Sequence, residues 1–586
     1  MTKTRLAAAL SLALLVVPVS QAAKYTVVEL PVADKGQSSF PSAINEAGNI
    51  TVNMSSPYNI PIDLDLLDFE SVALVNALTD IESASIGNFN SVDYEILLSA
   101  IRTGDTLQSA QQIANTISFL ASETEINYIP VFDQPTQLND EFTLSSNTIA
   151  RDVNDMNFVV GSGEGFYKKV DYTFKTSVNA GEVATFVVHD FGTRGFVSLG
   201  DNTIVDLPAP ALTAGGFSEA YGINEGNQVV GYGSTLFLSD TLETGIANCE
   251  NEELIDDEDP QTPESDHLPL RGDIPIESCI SSVVGTLTGS VTLFAQLRGL
   301  IWQLDAQGNL LETKELGILF EPEVDDDTNY SSQALAINDN GIAVGVSNGQ
   351  YPVNGVNAIR NFGVIFDEDQ IINITPEPDS IVAQTSTTIS SAADINNNNL
   401  VVGYQIKSIN GTNRTKFYVY DMNLAEITFP ADFFLGSSSI ALDINNNGLV
   451  VGYGEIDASL TRRRTEGFLY DNEAEQFNGI QDLISCDSPY TIVQANSIND
   501  KNEIVATALY KGPLRDSRGE IILDSAGNES IVDLVSAVKL EPIEGGEIEN
   551  CEIADEINKD RQAASVTWML ALGMVLLGCR RYKNQY

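Results

Sequence analysis

Seven times along the chain an aliphatic residue precedes Asn and a short polar run, and in most copies a pair of aliphatic residues follows. The copy Ala-Leu-Asp-Ile-Asn-Asn-Asn-Gly-Leu-Val-Val-Gly-Tyr-Gly, from Ala441 to Gly454, is the clearest. The recurring asparagines are Asn45, Asn154, Asn224, Asn338, Asn396, Asn445 and Asn499. In the five middle copies a glycine stands seven residues later, at Gly161, Gly231, Gly345, Gly403 and Gly452, whereas the outer copies have Val52 and Ala506. Atypical terminal copies are usual in repeat arrays. Asn and Gly tolerate left-handed backbone angles, so each copy predicts strand, tight turn, strand. A second hairpin is predicted from segments such as Gly467-Phe-Leu-Tyr-Asp471, Phe417-Tyr-Val-Tyr-Asp421, Gly363-Val-Ile-Phe-Asp367, Gly299-Leu-Ile-Trp-Gln303 and Gly195-Phe-Val-Ser-Leu199. Closing strands follow at Ile427-Thr-Phe-Pro430 and Ile371-Ile-Asn-Ile-Thr-Pro376. The unit is therefore about four short strands.

Successive markers are 109, 70, 114, 58, 49 and 54 residues apart. The last three match the size of a four-stranded propeller blade, and the wider gaps hold insertions. One insertion, at 91–122, predicts two short helices from Tyr94, Leu97, Leu98 and Ile101, then Leu107, Ile113 and Ile117. The other, at 248–280, has eleven acids against Arg271 between Cys249 and Cys279 and reads as an exposed acidic loop. The fold class expected is all-β, a seven-bladed β-propeller with a small helical insertion. Radial closure would remove the open sheet edges that invite aggregation. Two smaller propellers, a β-solenoid and chained sandwiches are the alternatives.

The two ends add a membrane to this picture. Lys3 and Arg5, the apolar run Leu6 to Val17 and small residues at Ser20, Ala22 and Ala23 form a secretory signal pattern over 1–22. The repeat β domain is expected over 23–545, a linker over 546–562, a transmembrane helix over 563–579 and a basic cytoplasmic tail over 580–586. The 17 uncharged residues of the span would reach about 26 Å as a helix, close to a hydrocarbon core of about 30 Å. Arg580, Arg581 and Lys583 after it fit the positive-inside tendency, and Trp568 sits where an interfacial aromatic is favoured. Such a span could also be a buried helix, or be removed after translocation. The localisation expected is exported, periplasmic or cell-surface, held by that single helix.

Composition narrows the partners. The formal charge is −52, and −54 once Lys3 and Arg5 leave with the signal. Such a field repels phosphate backbones, so no nucleic-acid partner is expected, while cationic partners, divalent ions or simple solubility in salty water are. Cys579 falls in the span, leaving Cys249, Cys279, Cys486 and Cys551 in the exported part. Four cysteines allow three pairings, and the sequence-local one, Cys249 with Cys279 and Cys486 with Cys551, is favoured.

Candidate chemistry is sparse. The two histidines, His189 and His267, stand outside any nucleophile-elbow context, so neither a Ser-His-Asp constellation nor a histidine zinc site is expected. Acids are too abundant to single out a hydrolytic carboxylate pair. Calcium has a better sequence basis. Asp443, Asn445 and Asn447 before Gly448 fit the opening of an Asp-x-Asn-x-Asn-Gly loop, and Asp394, Asn396 and Asn398 form a weaker copy. The twelfth position is Gly454, so no EF-hand glutamate closes the loop, and a plain Asn-Gly hairpin turn is the competing reading. Arg271-Gly272-Asp273 has the form of an adhesion tripeptide, a combination that also arises by chance.

The units resemble the HAF-type extracellular repeats, most closely over Ser437 to Asp471 and well over Ser331 to Asp367 and Ser391 to Asp421. Gly-Phe-Leu at Gly467 and Gly-Val-Ile at Gly363 stand where that family has His-Ala-Phe. The whole-chain layout is similar to an uncharacterised family of secreted gammaproteobacterial proteins, which implies no catalytic residue. The C-terminal helix with Arg-Arg is similar to bacterial sorting tails, although Gly545-Gly546 lies well upstream of it. The function expected is a membrane-tethered extracytoplasmic binding or surface-interaction module whose partner is an envelope protein, a glycan or a peptide. A secreted carbohydrate-active or other hydrolase using a carboxylate pair and a structural envelope protein are the alternatives.

Overall fold

The structure, a computed structural model, describes residues 24–549 except 104–110, 136–141, 176–178, 201–202, 254–268, 323–327, 369 and 459–462. The expected signal at 1–22 and the span and tail at 563–586 lie outside the described residues. Among the described residues no helix is long and apolar enough to cross a membrane.

Seven four-stranded antiparallel sheets account for the repeats. Their innermost strands are Gly36–Ile44, Thr148–Val153, Ser218–Ile223, Ser332–Ile337, Ser390–Ile395, Ser439–Ile444 and Thr491–Ile498, which number blades 1 to 7. The aliphatic pair of each unit lies on the second strand, and successive strand residues point to opposite faces. Val229 therefore packs into the core shared with Trp302 and Val197, and Val230 into the core with Phe362 and Val364. Val401 and Val402 divide in the same way between two neighbouring cores. Both must be apolar because each sheet is sandwiched between two others.

Every innermost strand carries a β-bulge at the same place, three residues before the marker Asn, as between Ala150 and Asp152 or Ala441 and Asp443. The bulge pushes a carbonyl toward the second strand. A Cβ on Gly452 would lie 2.1 Å from the Ile440 carbonyl oxygen, and one on Gly161 2.0 Å from that of Ile149. That close approach explains the five recurring glycines. In the outer copies Val52 pairs with Pro41 and Ala506 with Ala495.

Blade 7 is completed out of sequence order. Its strands run Thr491–Ile498, Ile504–Pro513 and Ile531–Pro542, and its outermost strand is Tyr25–Glu29 from the other end of the chain. Sequence spacing carries no sign of this pairing. The propeller unit comprises Val27–Gln481 and Ser488–Glu541. A second unit groups 482–487 with the two chain ends. In that unit Leu483 O accepts from Lys24 N and Tyr25 N, and Ile543 N donates to Lys24 O.

Strands alternate in direction, so the turns between strands one and two and between three and four share one face of the propeller. Connections between strands two and three emerge on the opposite face, and every large insertion is of that kind. Blade 1 inserts the helices Val72–Ala77, Ile81–Ala84 and Ser91–Thr103. The second helix expected there is not formed at Ile117. Thr116–Ala121 is a strand, because Ile117, Phe119 and Ala121 alternate into the core with strand period two. Blade 2 inserts the hairpin Tyr167–Thr173 with Val183–His189. Blade 3 inserts the helices Thr241–Glu250 and Ile276–Gly289, joined by the disulfide Cys249–Cys279. Part of the acidic loop expected there is thus helical at both ends. Cys486 is also disulfide-bonded, and its expected partner Cys551 lies outside the described residues.

Candidate functional site

At the turn after each innermost strand the chain reverses through a residue with positive φ, always Gly or Asn. These are Gly48, Asn157, Asn227, Gly341, Asn399, Gly448 and Asn502, with φ between 58° and 83°. The marker Asn, three residues earlier, organises that turn. Asn445 Oδ1 accepts from Asn447 N at 3.1 Å and from Leu449 N at 2.9 Å, and the other markers repeat the bond four residues ahead. Its Nδ2 reaches the next blade. Asn45 donates to Asn154 O, Asn224 to Asn338 O, Asn338 to Asn396 O, Asn396 to Asn445 O, Asn445 to Asn499 O and Asn499 to Asn45 O. Asn154 donates to Asn227 Oδ1 instead, 3.2 Å away in the next blade's turn. The result is a closed ring of buried asparagines around the propeller axis.

A second ring lies one residue further along each turn. Glu46 N donates to Asp155 Oδ1, Asp155 N to Glu225 Oε1, Glu225 N to Asp339 Oδ1 and Asp339 N to Asn397 Oδ1. Asn397 N then donates to Asn446 Oδ1, Asn446 N to Asp500 Oδ1 and Asp500 N back to Glu46 Oε1, all at 2.6–2.9 Å. Five of these seven side chains are acids. Burial raises the carboxyls of Glu46 and Glu225 above their ordinary range, with the neighbouring acids adding to the effect.

Below the rings the bulge turns the residue two before the marker Asn toward the axis. Three of these are aspartates. Asp152 Oδ2 accepts from Ile223 N, Asp394 Oδ2 from Ile444 N and Asp443 Oδ2 from Ile498 N, at 2.8–2.9 Å, each tying one blade to the next. Burial, and then the neighbouring Asp443 carboxyl, push Asp394 well above the usual carboxylate range. Burial pushes Asp152 up to about 6. The rings and this layer enclose a cavity of about 430 Å³ on the axis, where all seven blades meet. Seven carboxylates line it, among them Asp152 and Asp443, and no Lys or Arg does.

The calcium candidates fall within this architecture. Asp394 and Asp443 are brought together across blades 5 and 6. Asn396 and Asn445 belong to the buried ring, with Oδ1 accepting turn amides. Asn398 Nδ2 donates to Asn446 O, and Asn447 Nδ2 to Asp500 O and Asn502 Oδ1. Each Asp-x-Asn-x-Asn run thus spends its amides on turn and inter-blade bonds. Among the described residues no group of three or more His, Cys, Asp or Glu is disposed to hold a metal ion. Arg271, only 3% exposed, pairs with Glu252 and donates to Cys249 O, while Asp273 accepts from Tyr172 OH and Lys175 N. Asp273 thus ties the insertions of blades 2 and 3 together, whereas the bonds of Arg271 stay within the blade 3 insertion. His189 Nδ1 lies 3.0 Å from Gly165 O, a structural contact.

The family described as "Protein of unknown function (DUF3466)" matches residues 4–582. The chain belongs to the DUF3466 family. No curated protein matches it. Among solved structures, a protein of unknown function from Dyadobacter fermentans DSM 18053 is 11% identical with a TM-score of 0.29, over 90% of this chain and 100% of that one. The β-propeller domain of the Trilobed protease from Pyrococcus furiosus is 8% identical with a TM-score of 0.25, over 66% and 91%. A puromycin hydrolase is 10% identical with a TM-score of 0.28, over 70% of this chain and 48% of that one. At these scores the likenesses decide nothing about activity or ligand.

Sequence reasoning found Asp394 and Asp443 in this DUF3466 protein but passed over Asp152 and the acidic ring. The signal was present, because the residue after the marker Asn is Glu or Asp in five of seven copies. Its meaning needed the axis, where seven distant positions converge.

Proposed function

We propose that this DUF3466 protein is an exported, membrane-anchored binding module that takes a cationic group into the acidic mouth of its propeller axis. The observation that carries the reading is the axial cavity, lined by seven carboxylates and by no basic side chain. Carboxylates converging between low-dielectric walls focus their field on a small volume. Burial, and then the neighbouring acids, raise Glu46 and Glu225, and a bound cation offsets the repulsion among the acids. A lysine or arginine side chain of a partner peptide or envelope protein has the charge and the reach. Export is supported by the leader pattern, by two sets of disulfide-bonded cysteines and by the HAF-type resemblance of the repeats. The apolar segment at 563–579 with its basic tail supports the anchor.

The test uses titration calorimetry of the full-length protein with a tetralysine peptide, at ionic strength of about 0.01 M, where the Debye length is about 30 Å. The comparison variant combines Glu46→Gln, Asp155→Asn, Glu225→Gln, Asp339→Asn and Asp500→Asn. Its amide oxygens keep the ring bonds, as Asn397 and Asn446 already do. Binding should be measurable in the parent, weaken with added salt and vanish in the variant, whose Tm is retained. A parent that takes neither tetralysine nor spermidine, or a variant that binds equally well, refutes the reading.

A further inference from the structure

A second cavity, of about 440 Å³, lies between blades 3 and 4, away from the axis. Its floor is apolar, built from Ile301, Leu316, Ile342 and Phe366. Its origin can be read in the strand register. Outermost strands place one residue opposite the third strand's second aliphatic, facing the following blade. In blade 2 that residue is Val205, opposite Val197, and in blade 4 it is Ile372, opposite Ile365. Both pack into the neighbouring core. Blade 3 has Lys314 there, opposite Ile301, with Glu312 two residues earlier on the same face. Blades 1, 5 and 6 have the neutral polar residues Asn127, Thr428 and Asn478 at that position, so of these six blades only blade 3 places a charge there, and local departures of that kind concentrate at functional sites. Lys314 Nζ does not fill the gap, because it is drawn across it to Glu368 O at 3.0 Å.

The rim offers both hydrogen-bonding senses. Lys314 and the Gln228 amide supply donors, since Gln228 Oε1 already accepts from Asn224. Gln303 spends Nε2 on the carbonyls of Gly226 and Leu304, so its Oε1 is the atom it can offer, beside the carboxylates of Glu312 and Asp367. Those carboxylates, with Glu368, repel an anion. A bare cation gains nothing from the apolar floor and meets the Lys314 ammonium. A neutral ring with an apolar face and hydroxyl edges satisfies floor and rim together. The volume lies within the usual range of about 300–1,000 Å³ for ligand sites.

We infer that the groove between blades 3 and 4 is a binding site for a neutral sugar of a glycan, with Lys314, Glu312 and Asp367 as its specificity-determining residues. The site is separate from the axial mouth. Saturation-transfer NMR on the full-length protein in a zwitterionic, sugar-free detergent tests it with glucose, galactose, mannose, N-acetylglucosamine, cellobiose and maltose as probes. At least one should receive saturation. Lys314→Ile, which installs the residue type blade 4 has there, should close the groove and weaken that sugar roughly tenfold or more. Tetralysine binding should be unchanged. The paired change Glu312→Gln with Asp367→Asn, at surface positions, should weaken the same sugar and gives an independent readout should Lys314→Ile disturb folding. Absence of transfer from all six sugars overturns the inference, as does undiminished binding by the folded variants. Because tetralysine is followed in parallel, failure here and failure of the axial reading give different results.

Discussion

Each marker Asn uses its two side-chain atoms in different directions, and that dual use explains why no other residue replaces it in seven copies. Oδ1 closes its own turn and Nδ2 closes the ring, whereas Asp would lose the donor and bury a charge. The turn role was legible because Asn and Gly in a tight turn have a local torsional reason. The ring role was not, because its acceptor lies 49 to 454 residues away. Two predictions belong to single residues. Asp152, with its carboxyl pushed up to about 6, binds its proton more tightly folded than unfolded, where the value is about 3.9. The stability linked to that proton is complete below about pH 4 and is lost as pH rises through about 6. Asp152→Asn stays neutral and keeps the acceptor for Ile223 N, so it should raise Tm at pH 8 and match the parent at pH 4. The difference at pH 8 should be at most about 3 kcal/mol. Melting curves at several pH values check it, and a pH-independent difference would refute it. Lys539, 3% exposed, lies 2.7–2.9 Å from Glu123, Glu503 and Glu541. Lys539→Met strands three carboxylates at the seam between blades 7 and 1 and should cost about 3–5 kcal/mol in urea unfolding.

Strands were the most legible elements, because aliphatic pairs bounded by Asn-Gly turns have few other solutions. The reading failed at Ile117, where apolar residues four apart at 113 and 117 imitated a helix. Pairing of Thr116–Ala121 with Ile50–Pro57 decided for strand. It also passed over the short helices Val72–Ala77 and Ile81–Ala84, which have only a turn or two and rely on Ser71 and Asp80 as caps. The recurring glycines were visible but unexplained until the bulge carbonyl was seen beside them. That account predicts opposite outcomes for one chemical change. Gly452→Ala puts Cβ 2.1 Å from the Ile440 carbonyl and should destabilise by about 1–3 kcal/mol. Gly285→Ala, inside the helix Ile276–Gly289 with nothing within 4 Å, should be neutral or stabilise that helix by up to about 1 kcal/mol. Urea unfolding followed by circular dichroism compares them, and equal effects would remove the steric explanation.

For the propeller as a whole, closure and the separation of its two faces are the properties that matter. The strand Tyr25–Glu29 covers the edge of Ile531–Pro542. Deleting 24–30 should expose that edge and produce self-association, measured by light scattering after size exclusion, and a peptide of the deleted sequence added in trans should suppress it. A deletion variant that stays monomeric without peptide contradicts the closure. Insertions crowd one face and are linked there, as by Arg518 to Phe89 O between blades 7 and 1 and Lys169 to Asp63 between blades 2 and 1. The opposite face keeps short turns and an open acidic mouth. By itself the sequence determined the repeating unit, its count and its turns, because torsional preference and apolar period act over a few residues. Only the tertiary structure decided which strand completes blade 7, that the turns share hydrogen bonds in closed rings, and that a cavity lined by Lys314, Glu312 and Asp367 lies between blades 3 and 4. Those features depend on residues brought together from distant blades, and contacts of that kind have no period or composition of their own.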